Sequence, residues 1–112
     1  MSGLRLVPAT TFVGTVYLTV PGEPKRVPLT FVFAHKTRAD LNQWAQNPDK
    51  RPDPEFLGDV VRDWKVGPVD EHGKPVPFTP EAFAALLNAY PASGDEIFTG
   101  YLAAYREAKA GN

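Results

Sequence analysis

Two segments near the start of the chain alternate between apolar and other residues at a period of two. Residues 12–20 and 26–34 are rich in β-branched and aromatic residues, and the turn-forming residues 21–24 (PGEP) separate them. We therefore predict an antiparallel β-hairpin. Its second strand should turn one face inward, with these side chains: Val27, Leu29, Phe31 and Phe33. Because Pro28 has no N–H to donate, the early part of that strand should lie at a sheet edge or a bulge.

Two helices are predicted after the hairpin from apolar residues spaced three and four apart. The first follows Thr37, which forms a capping-box spacing with Asp40, and it ends before Pro48. The second has Asp53 as its N-cap and Pro54 as its first helical residue. Its apolar face is predicted to carry Leu57, Val60, Val61 and Trp64.

Two more helices are predicted towards the end of the chain. Thr79 caps the third helix, and Pro91 ends it. Its apolar stripe is Phe83, Leu86, Leu87 and Tyr90. Ser93 and Glu96 have the spacing of a capping box at the start of the fourth helix. The apolar residues of this last helix spread over more than one stripe, so it either packs deep in the core or offers a second face to a partner.

The pattern as a whole predicts an α+β fold. A tight turn at residues 71–74 (EHGK) leaves room for a short third strand or hairpin within residues 65–78. The predicted order is ββααβαα: an N-terminal β-hairpin, which that third strand would extend, packed against about four short helices. At 112 residues the chain is one domain, residues 1–112, and we expect residues 1–10 and 107–112 to be flexible.

Composition and charge exclude several classes of function. The chain has 12 basic and 13 acidic residues and no cysteine, so thiolate metal sites, disulfides and cysteine nucleophiles are excluded. The net charge of -1 argues against a nucleic-acid binder, which needs a basic surplus to neutralise phosphates. Charged residues and prolines interrupt every apolar run, so we expect no membrane span, no secretory signal and a cytoplasmic location.

A search for catalytic or metal-binding residues yields only weak candidates. His72 adjoins Asp70 and Glu71 in the predicted turn, where adjacent residues rarely converge on one ion. Asp59 and Asp63 lie four apart on the predicted second helix, between its apolar positions, and should face water. No nucleophile motif and no phosphate-binding glycine loop occurs. We therefore predict no catalytic residue, no metal site and no cofactor.

The order of several short motifs resembles that of the small tail assembly chaperones of long-tailed phages and prophages. The motifs span residues 12–105, most of the domain. They are residues 12–16 (FVGTV), 20–22 (VPG), 29–33 (LTFVF), 35–37 (HKT), 60–64 (VVRDW), 73–80 (GKPVPFTP) and 86–91 (LLNAYP). Each motif alone is common, and the ordered combination carries the resemblance.

The resemblance implies a non-enzymatic role in tail assembly. Proteins of this kind bind the tape measure protein, keep its helical segments soluble, help to recruit tail tube subunits and leave before the virion is finished. A holdase needs an exposed apolar surface. The expected contact residues lie on the hairpin and the last helix: Tyr17, Arg26, Phe98, Tyr101, Leu102 and Tyr105.

The sequence is also compatible with other interpretations of its partners and function. Residues 1–36 carry a charge of +3 and residues 37–73 carry -3, which suits head-to-tail self-association or an oppositely charged protein partner. A structural head–tail connector or tail component would share the α+β pattern, and mass spectrometry of purified virions separates it from a chaperone. A small regulatory or nucleic-acid-binding module is the second alternative, tested by a gel shift at low salt.

Overall fold

The fold is a three-stranded antiparallel sheet with four helices, seen in a computed structural model that describes residues 3–107. The elements are β1 (Thr11–Leu18), β2 (Val27–Ala34), α1 (Arg38–Gln46), α2 (Asp53–Gly58), β3 (Val61–Val66), α3 (Pro80–Ala89) and α4 (Ser93–Glu107). The α+β class, the N-terminal hairpin and the order of elements are as predicted. The prediction of flexible ends includes residues 1, 2 and 108–112, which lie outside the described residues.

The predicted hairpin is confirmed. β1 and β2 pair without interruption from Thr11 opposite Ala34 to Leu18 opposite Val27. Alternate side chains of both strands point into the core, as the period of two requires. β3 pairs with β2 only between Thr30 and Phe33. Pro28 therefore has no strand beside it on the β3 side. No hydrogen bond between β2 and β3 is lost through its missing N–H.

The predicted second helix is wrong over its second half. α2 ends at Gly58, and Val61 and Trp64 belong to β3, which lies earlier than the third strand we expected within residues 65–78. Two register shifts in the β2–β3 pairing place the buried residues of β3 three positions apart instead of two. This spacing imitates the stripe of a helix. In residues 65–78 the structure has the predicted turn, closed by a single bridge between Val69 and Pro75.

Two of the predicted helix caps are confirmed and two are wrong. The Thr37 and Thr79 hydroxyls accept hydrogen bonds from the first turns of α1 and α3. Pro52 occupies the N-cap position of α2 without a side-chain hydrogen bond, and Asp53 is already the first helical residue. Ser93 is also helical, and its hydroxyl donates to the carbonyl of Tyr90. The partner expected for Ser93, Glu96, instead accepts from the N–H and hydroxyl of Thr19, at 2.9 and 2.5 Å.

The core lies between the inner face of the sheet and the helices. Its centre is Tyr101 of α4, which is fully buried and donates a hydrogen bond of 2.8 Å to the carbonyl of Ala34. Four aromatic rings surround it with centroids 5.1–5.9 Å away: Phe12, Phe33, Trp44 and Tyr105. α4 lies directly on β1, so the last helix holds the first strand in place.

Stability at high pH should depend on Tyr101. Burial raises the pKa of its hydroxyl from 10.0 to about 12. Because the unfolded chain releases this proton first, the contribution of Tyr101 is complete below pH 10 and is lost as the pH rises towards 12. We expect the difference in the free energy of unfolding between the native chain and Tyr101→Phe to narrow across that range. Urea titrations at several pH values measure this difference. A difference that stays constant with pH would contradict the raised pKa of Tyr101.

Candidate partner-binding surface

One face of the sheet is not covered by the helices. Beyond Thr11 at its start, the side chains of β1 that alternate with the core positions are Val13, Thr15 and Tyr17, and all three are exposed. Val13 is 50% exposed and Tyr17 is 53% exposed. The strand registers place five further residues on this face: Pro28, Thr30, Val32, Asp63 and Val66. We call these eight residues the outer sheet face.

The part of the outer sheet face that belongs to the hairpin carries no formal charge. Charge enters only along β3, at Asp63 and at the neighbouring exposed residues Arg62 and Lys65, which the two register shifts leave without a partner on β2. The hydroxyls of Thr15 and Thr30 form a hydrogen bond of 3.2 Å with each other. Val66 is more than half exposed. Solvated faces of antiparallel sheets ordinarily carry polar residues. The face is therefore suited to being covered by another polypeptide.

The six residues predicted to contact partners do not form one surface. Tyr17 lies on the outer sheet face, and Arg26 is exposed just before β2. Tyr101 is fully buried. The other three residues lie on α4 and are partly buried: Phe98, Leu102 and Tyr105. α4 lies against the opposite face of the sheet, so the structure separates Tyr17 from the α4 residues.

The partly buried residues of α4 have partners within the chain. Phe98 packs against Trp44 and Phe56, with ring centroids 5.7 and 5.9 Å apart. Tyr105 stacks on His35 and donates a hydrogen bond to the carbonyl of Lys36. The apolar surplus that the sequence showed on this helix is therefore used largely in packing.

An apolar groove opens at the end of the sheet where β2 extends beyond β3. Its volume is about 360 Å³. The residues that line it come from the hairpin, from the segment after β3 and from α3, and they include Leu18, Val27, Leu29, Val66, Val69 and Leu86. No charged side chain lines it, so the groove is suited to apolar side chains.

The candidate chemical residues are spread apart. His72 lies in the exposed turn, 3.6 Å from the carboxylate of Glu71. Asp59 follows α2 and pairs with Arg51, whose pKa is raised by that hydrogen bond, while Asp63 lies on β3. The expected carboxylate row on one helix is therefore wrong. Among the side chains that the structure describes, no three of His, Cys, Asp or Glu lie close enough together to hold a metal ion.

Comparison with known protein families gives a match over the whole chain. The sequence model of the family described as phage tail assembly chaperone matches residues 1–112. The chain belongs to this family. Membership in the phage tail assembly chaperones extends the resemblance from residues 12–105 to both ends, and it assigns the chain a general role in tail assembly through protein partners. No curated protein and no solved structure gives a significant match.

Among the helices in the described part of the chain, none is long and apolar enough to cross a membrane. Of the outer sheet face, the sequence pattern pointed only to Tyr17, and the structure places Val13 and Val66 on the same face. A signal for Val13 was present in the hairpin, because the outward positions of its strands are threonine, valine, tyrosine and proline, without a single charge between residues 11 and 19 or 28 and 32.

Proposed function

We propose that this chaperone binds the tape measure protein of its phage through the outer sheet face and helps to recruit tail tube subunits. It acts in the host cytoplasm without catalysis and leaves before the virion is complete. The observation that supports this proposal is an exposed sheet face whose two hairpin strands carry no charge, in a protein whose family works through protein partners.

An amphipathic helix is the client that fits this face best. The sheet already has helices on its inner side, and a client helix on the other side would complete a three-layer arrangement of helix, sheet and helix. Such a helix would bury Val13, Tyr17 and Val66. Full burial of an exposed apolar side chain contributes about 1.5–3 kcal/mol. These three are already about half buried, so a client must also cover the rest of the outer sheet face to offset the cost of association.

The test replaces the apolar residues of the face without weakening the strand. Val13→Thr and Tyr17→Thr together place a β-branched residue of high strand propensity at both positions while removing apolar surface. We expect this double variant to bind the phage's own tape measure protein at least tenfold more weakly, measured by co-expression and pull-down followed by titration of the purified pair. Circular dichroism and urea midpoints should remain close to those of the native chain because both positions are exposed.

The matched control changes exposed apolar residues elsewhere. Leu4→Ser and Leu6→Ser remove two exposed leucines that precede β1 and lie outside the outer sheet face. This control should retain native affinity for the tape measure protein. If the sheet variant binds as tightly as the native chain, or if both variants lose affinity equally, the outer sheet face is not the client surface.

A further inference from the structure

The two edges of the sheet differ in how well they are protected against pairing with another strand. β3 forms one edge, carries charged residues at three of its six positions, and is followed by Gly67 and Pro68. β1 forms the other edge and has eight residues without a charge, a proline or a register shift. Charges, prolines and bulges are the features that keep the edges of natural sheets from pairing. Because β1 has none of them, its edge is open to an added strand.

The hydrogen bonds of the hairpin show which backbone groups face this edge. The N–H of His35 donates to the carbonyl of Thr10 at 2.9 Å, so the even-numbered residues of β1 bond to β2. The odd-numbered residues therefore point their N–H and C=O groups away from β2: Thr11, Val13, Thr15 and Tyr17. Among the described residues, none supplies a hydrogen-bond partner for these groups. The next residue of the series, Thr19, donates its N–H to Glu96, which closes the edge at that end.

α4 runs beside this edge on the inner side of the sheet. Glu96 reaches Thr19, so the helix face that carries Glu96 is the one turned towards the edge. The residues three, four and seven positions further along share that face: Thr99, Gly100 and Ala103. Their side chains are small, so a strand added to β1 has room for its own inward side chains under α4.

A second copy of β1 does not fit this edge. Antiparallel pairing about a two-fold axis would place the two β1 strands about 4.8 Å apart, with both copies of α4 on the same side of the joint sheet. The backbone of α4 lies over β1 rather than over β2, so the two helix axes would come about as close as the strands. Packed helices need about 8–10 Å between their axes. The occupant is therefore a segment that brings no helix of its own to this side of the sheet.

We propose that the free edge of β1 binds an extended segment of a protein partner by β-strand addition, so that the segment forms a fourth strand of the sheet. The unpaired N–H and C=O groups specify an extended backbone, because a helix uses its own backbone groups internally. This segment is therefore distinct from the amphipathic helix proposed for the outer sheet face.

The edge also specifies the chemistry of the segment. Its pairing positions run from Thr11 to Tyr17, and neither β1 nor the small residues of α4 beside it carry a charge, so an uncharged stretch fits there. At the Thr19 end lies the carboxylate of Glu96, which no lysine or arginine of the described side chains pairs with. Antiparallel pairing is the more stable kind and places the N-terminal end of the segment beside Glu96. A lysine or arginine just before the uncharged stretch complements this carboxylate.

Amide hydrogen exchange of the full chain, with a synthetic peptide as the probe, tests the proposal. The peptide is N-acetylated and has one arginine followed by alternating threonine and valine, long enough to pair from Tyr17 to Thr11. We expect the N–H groups of Val13, Thr15 and Tyr17 to exchange rapidly in the free protein and several-fold more slowly with the peptide. A control peptide of the same sequence, N-methylated at the amides that would pair, should give no protection.

Two variants separate strand addition from other kinds of binding. Thr15→Pro removes an outward N–H but no bond to β2, and the missing donor and the added ring should weaken peptide binding about tenfold. The matched control, Thr15→Val, keeps the N–H and should bind the peptide as the native chain does. Glu96→Gln still accepts from Thr19, and it should remove the preference for the arginine peptide over a peptide with glutamine in that place. Circular dichroism checks that each variant is folded.

Four results would overturn the proposal. Slow exchange of these amides in the free protein at every concentration would show that the chain covers its own edge, and protection that rises with protein concentration alone would show pairing between copies. Equal binding of the N-methylated peptide would show contact through side chains only, and the absence of protection by any peptide would show a closed edge. The peptide comparison decides the question even if Thr15→Pro does not fold. None of these results bears on the outer sheet face, whose test variants keep every backbone N–H.

Discussion

Replacing Tyr101 by alanine is expected to remove about 3–5 kcal/mol from the free energy of unfolding, the range found for truncating a large aromatic residue in a core. The side chain is fully buried, and four aromatic rings contact it from the sheet, from α1 and from α4 itself. The substitution also leaves the carbonyl of Ala34 without its hydrogen-bond donor. Because domains of this size are stable by only about 5–15 kcal/mol, a large part of the protein should be unfolded at moderate temperature.

Urea unfolding followed by tryptophan fluorescence measures this effect, since the ring of Trp44 lies 5.6 Å from that of Tyr101. The matched control is Tyr17→Ala, the same chemical change at an exposed position, and we expect it to change stability by less than about 1 kcal/mol. Similar losses for both variants would contradict the central place of Tyr101. If a charged residue in place of Tyr101 abolished client binding, the cause would be unfolding of the protein and not the loss of a contact with the client.

Gly100→Ala is expected to destabilise the protein by about 1–3 kcal/mol, although alanine is the better helix former. α4 lies so close to β1 that a Cβ at Gly100 would be 2.6 Å from a methyl group of Val16. The neighbouring contact is equally tight, because a Cβ at Gly14 would lie 2.7 Å from that of Ala104. Val16 is β-branched and buried, so its side chain has little freedom to move away.

Gly58→Ala provides the matched control for this prediction. Gly58 is the last residue of α2, and a Cβ there would meet no atom within 4 Å. The same glycine-to-alanine change should therefore be neutral or stabilising at Gly58 and destabilising at Gly100, as measured by thermal and urea unfolding. If Gly100→Ala proved as stable as Gly58→Ala, the close approach of α4 to β1 would be wrong.

Local patterns were sufficient to predict the hairpin and most of the helices. Strict alternation in β1 and β2 and the threonine caps of α1 and α3 depend on neighbours only a few residues away. β3 was not predictable in this way. Its burial pattern follows from two irregularities in its pairing with β2, a strand that ends 27 residues earlier, and the resulting spacing coincides with that of a helix.

The candidate surface was only partly predictable for a similar reason. Tyr17 and Arg26 are exposed, as the alternation of the hairpin indicated. For α4, an excess of apolar residues is compatible with either a binding face or a deep packing position. The outcome depends on where Trp44, Phe56 and His35 lie in the folded chain, and each of them packs against α4. The apolar groove at the end of β2 became visible only in the folded chain, because its lining comes from segments far apart in the sequence.

The contact between Glu96 and Thr19 has a consequence for synthesis on the ribosome. It joins residues 77 positions apart, and α4, which carries Glu96, also supplies the cover for β1. The hairpin therefore emerges from the exit tunnel long before its inner face has anything to pack against. Phe31 and Phe33 remain open to other nascent chains until α4 is made, so a truncated product lacking this helix would be prone to aggregate rather than form a smaller domain.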